Sequence, residues 1–294
     1  MTAPRPDPTS PAALHALLRA RGFRPRRSLG QTFLTDANIV AKIVAAAHLT
    51  GREPVLEVGA GAGAVTRALV AASPRVLAVE IDPLLVDVLR ETLGDAARIL
   101  HADLLTLDWP SLLGGPSAGP WRVVANLPYA ITGPAILHLL SARNLVERMV
   151  IMVQAEVADR LTAPPGGRQR GFLSVLVQAA CEAETVWRVA RTCFWPPPRV
   201  DSVILGLTLR RPPLVPDSLL PAFLRLVHAG FAVRRKTLLN ALLNSPDLAL
   251  SRPDARALLA SGGIEESRRA ETLSDSEFLA LAQVLAGRRR SPDQ

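Results

Sequence analysis

The sequence predicts an α/β fold, in which a mostly parallel sheet is covered by helices and followed by a small helical domain. Three observations indicate this fold. Between residues 54 and 153, segments that are apolar on both faces alternate with segments of helical periodicity. Glycines or carboxylates follow several of the apolar segments directly. Beyond residue 213, only helical periodicity remains.

The chain is expected to begin with two helices. Residues 1–12 are rich in proline and are expected to be disordered. A short helix is predicted over 12–21. A second helix is predicted to end near Ala47, and Asp36 before it can accept hydrogen bonds from its first turn.

The alternating region is predicted to form five strands and three helices. Strands are expected where apolar residues run together, and helices where they recur every three or four positions. The expected strands are 54–58, 75–80, 98–101, 121–125 and 148–153, and the expected helices are 64–72, 83–93 and 133–140.

The rest of the chain is predicted to complete the sheet and then form the helical domain. Helices at 155–161 and 172–180 precede a hairpin of strands 183–191 and 202–209. The later helices are 217–230, 234–243, 252–260 and 275–286. The predicted division is therefore a sheet domain at 13–211, a helical domain at 216–286 and a mobile tail at 287–294.

Composition excludes several classes of protein. Of 294 residues, 49% are hydrophobic, which excludes a disordered chain, and no apolar run is long enough to span a bilayer. Two cysteines supply neither a disulfide framework nor a four-ligand zinc site, so no bound metal is expected. We expect a cytoplasmic protein that does not bind membranes. The net charge of +8 favours a polyanionic partner, although a merely basic surface would give the same count.

The first candidate site is a glycine-rich turn after the first predicted strand of the sheet. Gly59, Gly61 and Gly63 permit close approach of backbone to a ligand, or simply a tight turn between strand and helix. Glu80 ends the second of these strands, where a carboxylate can accept from ribose hydroxyls, and Asp103 follows the third. Since parallel strands end at one edge, these residues predict a site for an adenosine-containing ligand.

The second candidate site is the Asn-Leu-Pro-Tyr turn at 126–129, after the fourth strand of this region. Asn126 offers an amide donor and an acceptor, and Pro128 rigidifies the turn. Tyr129 is the only tyrosine and offers a flat face for stacking a base, or for packing inside the protein. Its position beside the glycine-rich turn favours a substrate site.

Taken together, these motifs resemble those of the ribosomal RNA adenine dimethyltransferases. The resemblance extends over nearly the whole chain and includes RRSLGQTFL at 26–34, EVGAGAGAVT at 57–66 and the turn at 126–129. Further matching stretches are 152–161, 171–175, 194–202 and 231–240. One departure is Thr32, where the family usually has Asn, so a side-chain contact at this position is in question.

The resemblance implies a Rossmann-like class I methyltransferase with a seven-stranded, mostly parallel sheet and a small all-α C-terminal domain. The implied cofactor is S-adenosylmethionine. The implied reaction places two methyl groups on the exocyclic N6 of each of two adjacent adenosines, in a hairpin near the 3′ end of small-subunit rRNA. The implied partner is the immature small subunit, late in its assembly, and the protein is expected to be a monomer.

The resemblance also implies a role for each matching residue. The expected cofactor-binding residues are Gln31, Thr32, Leu34, Gly59, Gly61, Gly63, Glu80, Asp103 and Asn126. The residues expected to hold the target adenine are Asn126, Leu127, Pro128, Tyr129 and Phe194. The residues expected to contact RNA are Arg26, Arg27, Arg199, Arg234, Arg235 and Lys236.

Two other interpretations remain open at this stage. A resistance-type methyltransferase acting on a large-subunit rRNA adenine would share the cofactor site and a similar turn at 126–129. A family member serving only as an assembly or transcription factor would not need Glu80, Asp103, Asn126 and Tyr129. The segment RRKTLLN at 234–240 favours the small-subunit reading, although its cations could also form a solvated face.

Overall fold

The computed structural model describes residues 8–26, 30–115, 119–233 and 235–288, which contain nine strands and twelve α-helices. The strands are β1 Phe33–Leu34, β2 Val55–Val58, β3 Val76–Glu80, β4 Arg98–His101, β5 Trp121–Asn126, β6 Val146–Gln154, β7 Cys181–Val189, β8 Phe194–Trp195 and β9 Ser202–Leu209. The helices are α1 Pro11–Ala20, α2 Ala37–Ala46, α3 Ala64–Ala72, α4 Pro83–Leu93, α5 Trp109–Leu113, α6 Thr132–Ser141, α7 Ala155–Leu161, α8 Phe172–Ala180, α9 Leu220–Ala232, α10 Leu238–Leu243, α11 Arg252–Ser261 and α12 Asp275–Arg288.

Seven of the strands form one sheet in the order β4-β3-β2-β5-β6-β9-β7. The five strands from β4 to β6 are parallel, and β9 runs antiparallel to β6. Strands β2 and β3 are buried at every position, as expected when helices cover both faces of a parallel sheet. The predicted mostly parallel, seven-stranded sheet is confirmed.

Helices α2, α3 and α4 begin at residues suited to capping. Asp36 accepts hydrogen bonds from the backbone of Asn38 and Ile39 and so caps α2. Asp82 does the same for α4, where Pro83 occupies the first helical position. Gly63 begins α3 in the left-handed region at φ +86°, which an L-residue adopts only with strain. These local signals explain why α3 and α4 have the predicted bounds.

The structure corrects the sequence predictions at several places. The expected link at 192–201 contains β8, which pairs with β1 in a separate two-stranded sheet. The helix expected from residue 234 begins at Leu238, because Thr237 accepts from the Asn240 N–H and caps it there.

The two chain ends also differ from their predictions. Residues 11 and 12 lie in α1 rather than in a disordered lead, because the Ser10 side chain caps this helix. Residues 287 and 288 lie in α12 rather than in a mobile tail. Positions 1–7 and 289–294, also covered by those predictions, lie outside the described residues.

The chain divides into two compact units that differ from the predicted domains. The first consists of 1–158 and 184–209, and the second of 159–183 and 210–294. The prediction therefore assigned 159–183 to the wrong side of the division.

A buried arginine explains this correction. The guanidinium of Arg170 is fully buried and donates to Asp275 and Gln178, while the Gly166 N–H donates to the Glu271 carbonyl at 2.8 Å. These contacts hold 159–183 among the C-terminal helices.

The second unit has a core of its own. Phe223 of α9 and Phe278 of α12 are fully buried and meet edge to face, with ring centroids 6.4 Å apart. Leu258 and Leu281, from α11 and α12, are also fully buried.

Among the described residues, no helix is long and apolar enough to cross a membrane.

Candidate functional site

A cleft lies in the first unit at the carboxyl ends of β2, β3, β4 and β5. Residues that follow or end these strands line it together: Gly59 after β2, Glu80 in β3, Asp103 after β4 and Asn126 in β5. Open parallel sheets bind ligands at this edge. The sequence argument that placed these four residues at one edge is therefore confirmed by the fold.

Two of the three predicted glycines shape the floor of the cleft. Gly59 and Gly61 have φ of +74° and +58°. A Cβ on Gly59 would lie 3.0 Å from the Asn126 carbonyl oxygen, and one on Gly61 would lie 3.3 Å from the Phe33 ring. Gly63 instead faces Leu89 and does not line the cleft, so the structure places it in helix packing.

Glu80 joins the glycine-rich turn to the corner between β3 and α4. One carboxylate oxygen accepts from the Gly61 N–H at 2.8 Å, and the other accepts from the N–H groups of Ile81 and Asp82 at 2.9 and 3.0 Å. Burial raises the pKa of Glu80, and these three hydrogen bonds oppose the rise. Only the oxygen that accepts from Gly61 retains a lone pair, so the carboxylate is still able to accept a hydrogen bond from a ligand hydroxyl.

Glu57 is a buried acid at the back of the cleft. It lies in β2, it is 3% exposed, and its Oε2 has no hydrogen-bond partner among the described residues. Burial raises its pKa to about 8, and the nearby Glu80 carboxylate adds to the rise. The raised pKa favours the neutral, protonated carboxyl.

Asp103 and the turn at 126–129 form the next part of the wall. One oxygen of Asp103 accepts from the Leu105 N–H at 2.9 Å and fixes the carboxylate at the mouth of the cleft. The buried Leu127 donates its N–H to the Met152 carbonyl at 3.2 Å. This hydrogen bond anchors the turn on β6, and the next residue, Pro128, lines the cleft.

Two aromatic residues predicted to hold a base do not line this cleft. The Tyr129 ring is half-buried, and its hydroxyl is hydrogen-bonded to the buried Ser202 hydroxyl, 2.9 Å away. Burial raises the pKa of Tyr129, so the phenol stays neutral. Phe194 is 4% exposed and belongs to the core. Their base-stacking roles stay predictions.

The segment 30–34 covers one side of the cleft. Gln31, Thr32 and Leu34 all line it, and their binding of a cofactor stays a prediction. The side-chain oxygen of Gln31 accepts from the Arg26 N–H at 2.7 Å, and its nitrogen donates to Asp82 at 2.9 Å. This side chain is therefore engaged within the protein.

The expected RNA-contacting residues are exposed wherever the structure describes them. Arg26 and Arg199 are exposed in the first unit, and Arg235 and Lys236 are exposed in the second. Arg27 and Arg234 lie outside the described residues. These contacts with RNA stay predictions.

Sequence reasoning missed the roles of Glu57, Asp82 and Ser202. A signal existed for the first, because a carboxylate inside an otherwise apolar strand demands an explanation. Asp82 was visible as a cap before Pro83. Its link to Gln31, 51 positions away, carried no local signal. Among the described residues, no group of three metal-binding side chains comes together.

Comparisons with known proteins identify the family. A model of the family described as "Ribosomal RNA adenine dimethylase" matches residues 22–287. The ribosomal RNA small subunit methyltransferase A of Pelotomaculum thermopropionicum is 44% identical over 282 residues, covering 93% of this chain and 95% of the relative. The protein of that name from Moorella thermoacetica is 43% identical over 284 residues, covering 94% and 98%.

Two solved structures share the fold. A dimethyladenosine transferase from Plasmodium falciparum has a TM-score of 0.69 and 25% identity, covering 83% of this chain and 94% of that chain. The 23S rRNA methyltransferase ErmE has a TM-score of 0.65 and 30% identity, covering 86% and 99%. With its mostly parallel seven-stranded sheet, the first unit thus has the class I methyltransferase fold. The match over 22–287 includes every element that lines the cleft, and the chain belongs to the ribosomal RNA adenine dimethylase family of S-adenosylmethionine-dependent methyltransferases.

Proposed function

We propose that this protein transfers methyl groups from S-adenosylmethionine to the exocyclic N6 of adenosines in small-subunit rRNA. The expected product is dimethyladenosine at two adjacent positions in a hairpin near the 3′ end. The observation that carries the proposal is the shared cleft, where Gly59, Glu80 and Asp103 meet the turn at 126–129. The curated relatives named small subunit methyltransferase A support the choice of RNA.

The cleft fits S-adenosylmethionine on its own structural grounds. Gly59 and Gly61 line the cleft with backbone alone, since a Cβ on either would meet the Asn126 carbonyl oxygen or the Phe33 ring. Glu57, which has an unpartnered oxygen, is also among the lining residues. We assign the ribose hydroxyls to Glu80, the adenine amine to Asp103, and the methionine end to the glycine turn and 32–34. When bound, the cofactor supplies an electrophilic methyl group.

The turn at 126–129 is assigned to the target adenine. The exocyclic amine of adenine is a poor nucleophile, because its lone pair is delocalised into the ring. Asn126 and the Leu127 carbonyl accept hydrogen bonds from this amine, which localises the lone pair and aims it at the methyl group. Holding nitrogen and methyl carbon in line is a proximity effect. The proton leaves after methyl transfer, since the alkylated amine is acidic.

A second candidate function is methylation of an adenine in large-subunit rRNA, which the likeness to the 23S rRNA methyltransferase favours. One assay separates the two. Labelled S-adenosylmethionine is supplied with unmodified small subunits or with protein-free large-subunit RNA, and product nucleosides are counted. Dimethyladenosine at two neighbouring small-subunit positions supports the first function. Incorporation into large-subunit RNA alone would establish the second.

The Asn126→Ala variant tests the assignment of the target site. We expect turnover to fall by about 100-fold, the scale on which a lost transition-state hydrogen-bond partner is felt. Binding of S-adenosylhomocysteine, measured by calorimetry, should fall much less. Asn38→Ala, at an exposed position on α2 outside the cleft, is the matched control and should retain full turnover. Full turnover by Asn126→Ala would refute the assigned role.

We also propose a cytoplasmic monomer that binds the immature small subunit late in assembly. Asp103→Ala is the variant of choice, because the Asp103 carboxylate accepts one backbone hydrogen bond of those described, whereas the Glu80 carboxylate accepts three. We expect this variant to lose turnover and still sediment with unmodified small subunits. Loss of both properties would refute a separate assembly role.

A further inference from the structure

Segment 30–34 touches both sides of the cleft. On the cofactor side, Gln31 reaches Asp82 and the Phe33 ring lies over Gly61. On the target side, a Cβ on Gly30 would lie 3.5 Å from the Pro128 Cβ, so the two backbones are close. This five-residue segment thus contacts both the elements assigned to the cofactor and those assigned to the adenine, through Gly30, Gln31 and Phe33.

The same segment holds the strand that carries Phe194. Strand β1 pairs with β8, with Phe33 opposite Trp195 and Leu34 opposite Phe194. The next residue, Thr35, donates its N–H to the Cys193 carbonyl at 2.8 Å. In the described part of the chain, β8 pairs with no other strand. The backbone of Phe194 is therefore tied directly to that of Leu34.

The Gln31–Asp82 hydrogen bond fixes this segment to the cofactor side. The Asp82 side chain is fully buried; one oxygen accepts from the Leu84 N–H at 3.0 Å, and the other from Gln31 at 2.9 Å. The Asp82 N–H donates to Glu80, which in turn accepts from Gly61. A continuous chain of hydrogen bonds thus runs from Gln31 to the glycine-rich turn.

The second contact of Gln31 fixes its orientation. Its side-chain oxygen accepts from the Arg26 N–H at 2.7 Å, which leaves the nitrogen to face Asp82. The Arg26 guanidinium lies 3.9 Å from the same Asp82 oxygen, but its side chain is 55% exposed, so this ion pair is screened. The Gln31 amide, rather than the Arg26 guanidinium, therefore ties the segment to Asp82.

We propose that Gln31 and Asp82 are a positioning pair, which makes cofactor binding and RNA binding energetically coupled through segment 30–34. This inference rests on the proposed function and deepens it. A ligand that orders the segment from the cofactor side also places Gly30 and Phe194 for the target side. By thermodynamic reciprocity, bound RNA then increases the affinity for the cofactor by the same factor by which the cofactor increases the affinity for RNA.

Coupling is measured as a ratio of dissociation constants. The Kd for unmodified small subunits is determined with and without saturating S-adenosylhomocysteine. For the native protein we expect the ligand to tighten binding at least about fivefold. Gln31→Ala should bring this ratio to within about twofold of 1, because the segment is no longer tied to Asp82.

A polarity swap distinguishes the pair from a merely structural contact. Gln31→Glu sets two carboxylates against each other, and Asp82→Asn sets two amide nitrogens against each other. In the double variant, the Asn amide donates to the new Glu, whose other oxygen still accepts from Arg26, and the Asn oxygen still caps α4. Both single variants should lose the coupling, and the double variant should regain it to within about twofold of the native ratio.

The matched control is Glu91→Gln. Glu91 lies on α4, pairs with Arg21 at the surface and is 57% exposed. Its loss should leave the coupling ratio unchanged.

The outcomes of the proposal and of the proposed function are distinct. Native protein that binds both ligands without coupling, variants that retain the ratio, or a double variant that is not rescued would each overturn the positioning pair. A native protein that binds neither ligand would overturn the proposed function itself.

Discussion

The two sides of the cleft are built in different ways. The cofactor side consists of strand ends, and each key residue lies within a few positions of the strand that places it, as Gly59 and Glu80 do. The target side depends on β1 and β8, whose paired residues are about 160 positions apart in the chain. The cofactor side is fixed by local turns on a buried sheet, and the target side is fixed by tertiary contacts. Substitutions are therefore expected to affect the two sides differently.

The largest expected effect comes from Phe33→Ala, which removes a ring of β1, the strand that is held by distant contacts and also covers Gly61 on the cofactor side. Phe33 is 6% exposed and packs against Phe23 and Trp195, with ring centroids 5.8 and 6.1 Å apart. Truncating a buried phenylalanine costs about 3–5 kcal/mol of stability. Thermal unfolding should report this loss, together with weaker binding of S-adenosylhomocysteine, because the cover over Gly61 is gone.

Phe223→Ala is the matched control for that prediction. Phe223 is fully buried in the second unit, so the loss of stability should be similar. Binding of S-adenosylhomocysteine by the folded protein should remain. If both variants weakened binding of S-adenosylhomocysteine equally, the effect of Phe33→Ala on binding would be due to general destabilisation.

The next effect concerns the strand-end side and depends on pH. The pKa of Glu57 is raised from 4.5 to about 8, so the folded chain binds this proton more tightly than the unfolded chain. The associated stability is complete below about pH 4.5 and is lost as the pH rises through 8. Glu57→Gln should therefore be more stable than the native protein by about 3–5 kcal/mol at pH 9, and similar to it at pH 5.

Glu53 provides a control of opposite sign. Hydrogen bonds from Thr50 lower the pKa of this surface carboxylate to about 2. Its contribution is present above pH 4.5 and is lost as the pH falls through 2. Glu53→Gln should therefore be less stable than the native protein above pH 4.5, and the difference should vanish as the pH falls through 2, as measured by denaturant titration at each pH. A pH-independent effect of Glu57→Gln would contradict the assigned burial.

A smaller loss of stability is expected from Gly59→Ala, which tests the glycine-rich turn itself. An L-residue in the left-handed region costs about 1–2 kcal/mol. The new Cβ would also lie 3.0 Å from the Asn126 carbonyl oxygen, so cofactor and target sides are both disturbed. Calorimetry should detect no binding of S-adenosylhomocysteine. Gly51→Ala has a similar φ of +88°, and its Cβ would come no closer than 4.0 Å to the Ala72 carbonyl oxygen, so this control should lose stability and retain binding.

The same contrast explains what could be predicted from the sequence. The bounds of α3, α4 and β4 follow from caps, glycines and apolar runs, all of which are local signals. The two-residue strand β8 has no periodicity of its own and exists because Phe33–Leu34 pairs with it. The placement of 159–183 depends on the buried Arg170, whose partner Asp275 lies 105 positions away. Such contacts leave no trace in a local pattern.

The smallest expected effect is the most specific for the target side. The hydrogen bond between Tyr129 and Ser202 joins the turn after β5 to β9, and a neutral hydrogen bond contributes about 0.5–1.5 kcal/mol. Tyr129→Phe and Ser202→Ala should each raise the KM for RNA severalfold and leave the affinity for S-adenosylhomocysteine unchanged. Since both remove the same bond, the double variant should be no worse than the more affected single variant. Additive losses would mean that Ser202 acts on something other than the tyrosine ring, and the target side would then need another support for its stacking face.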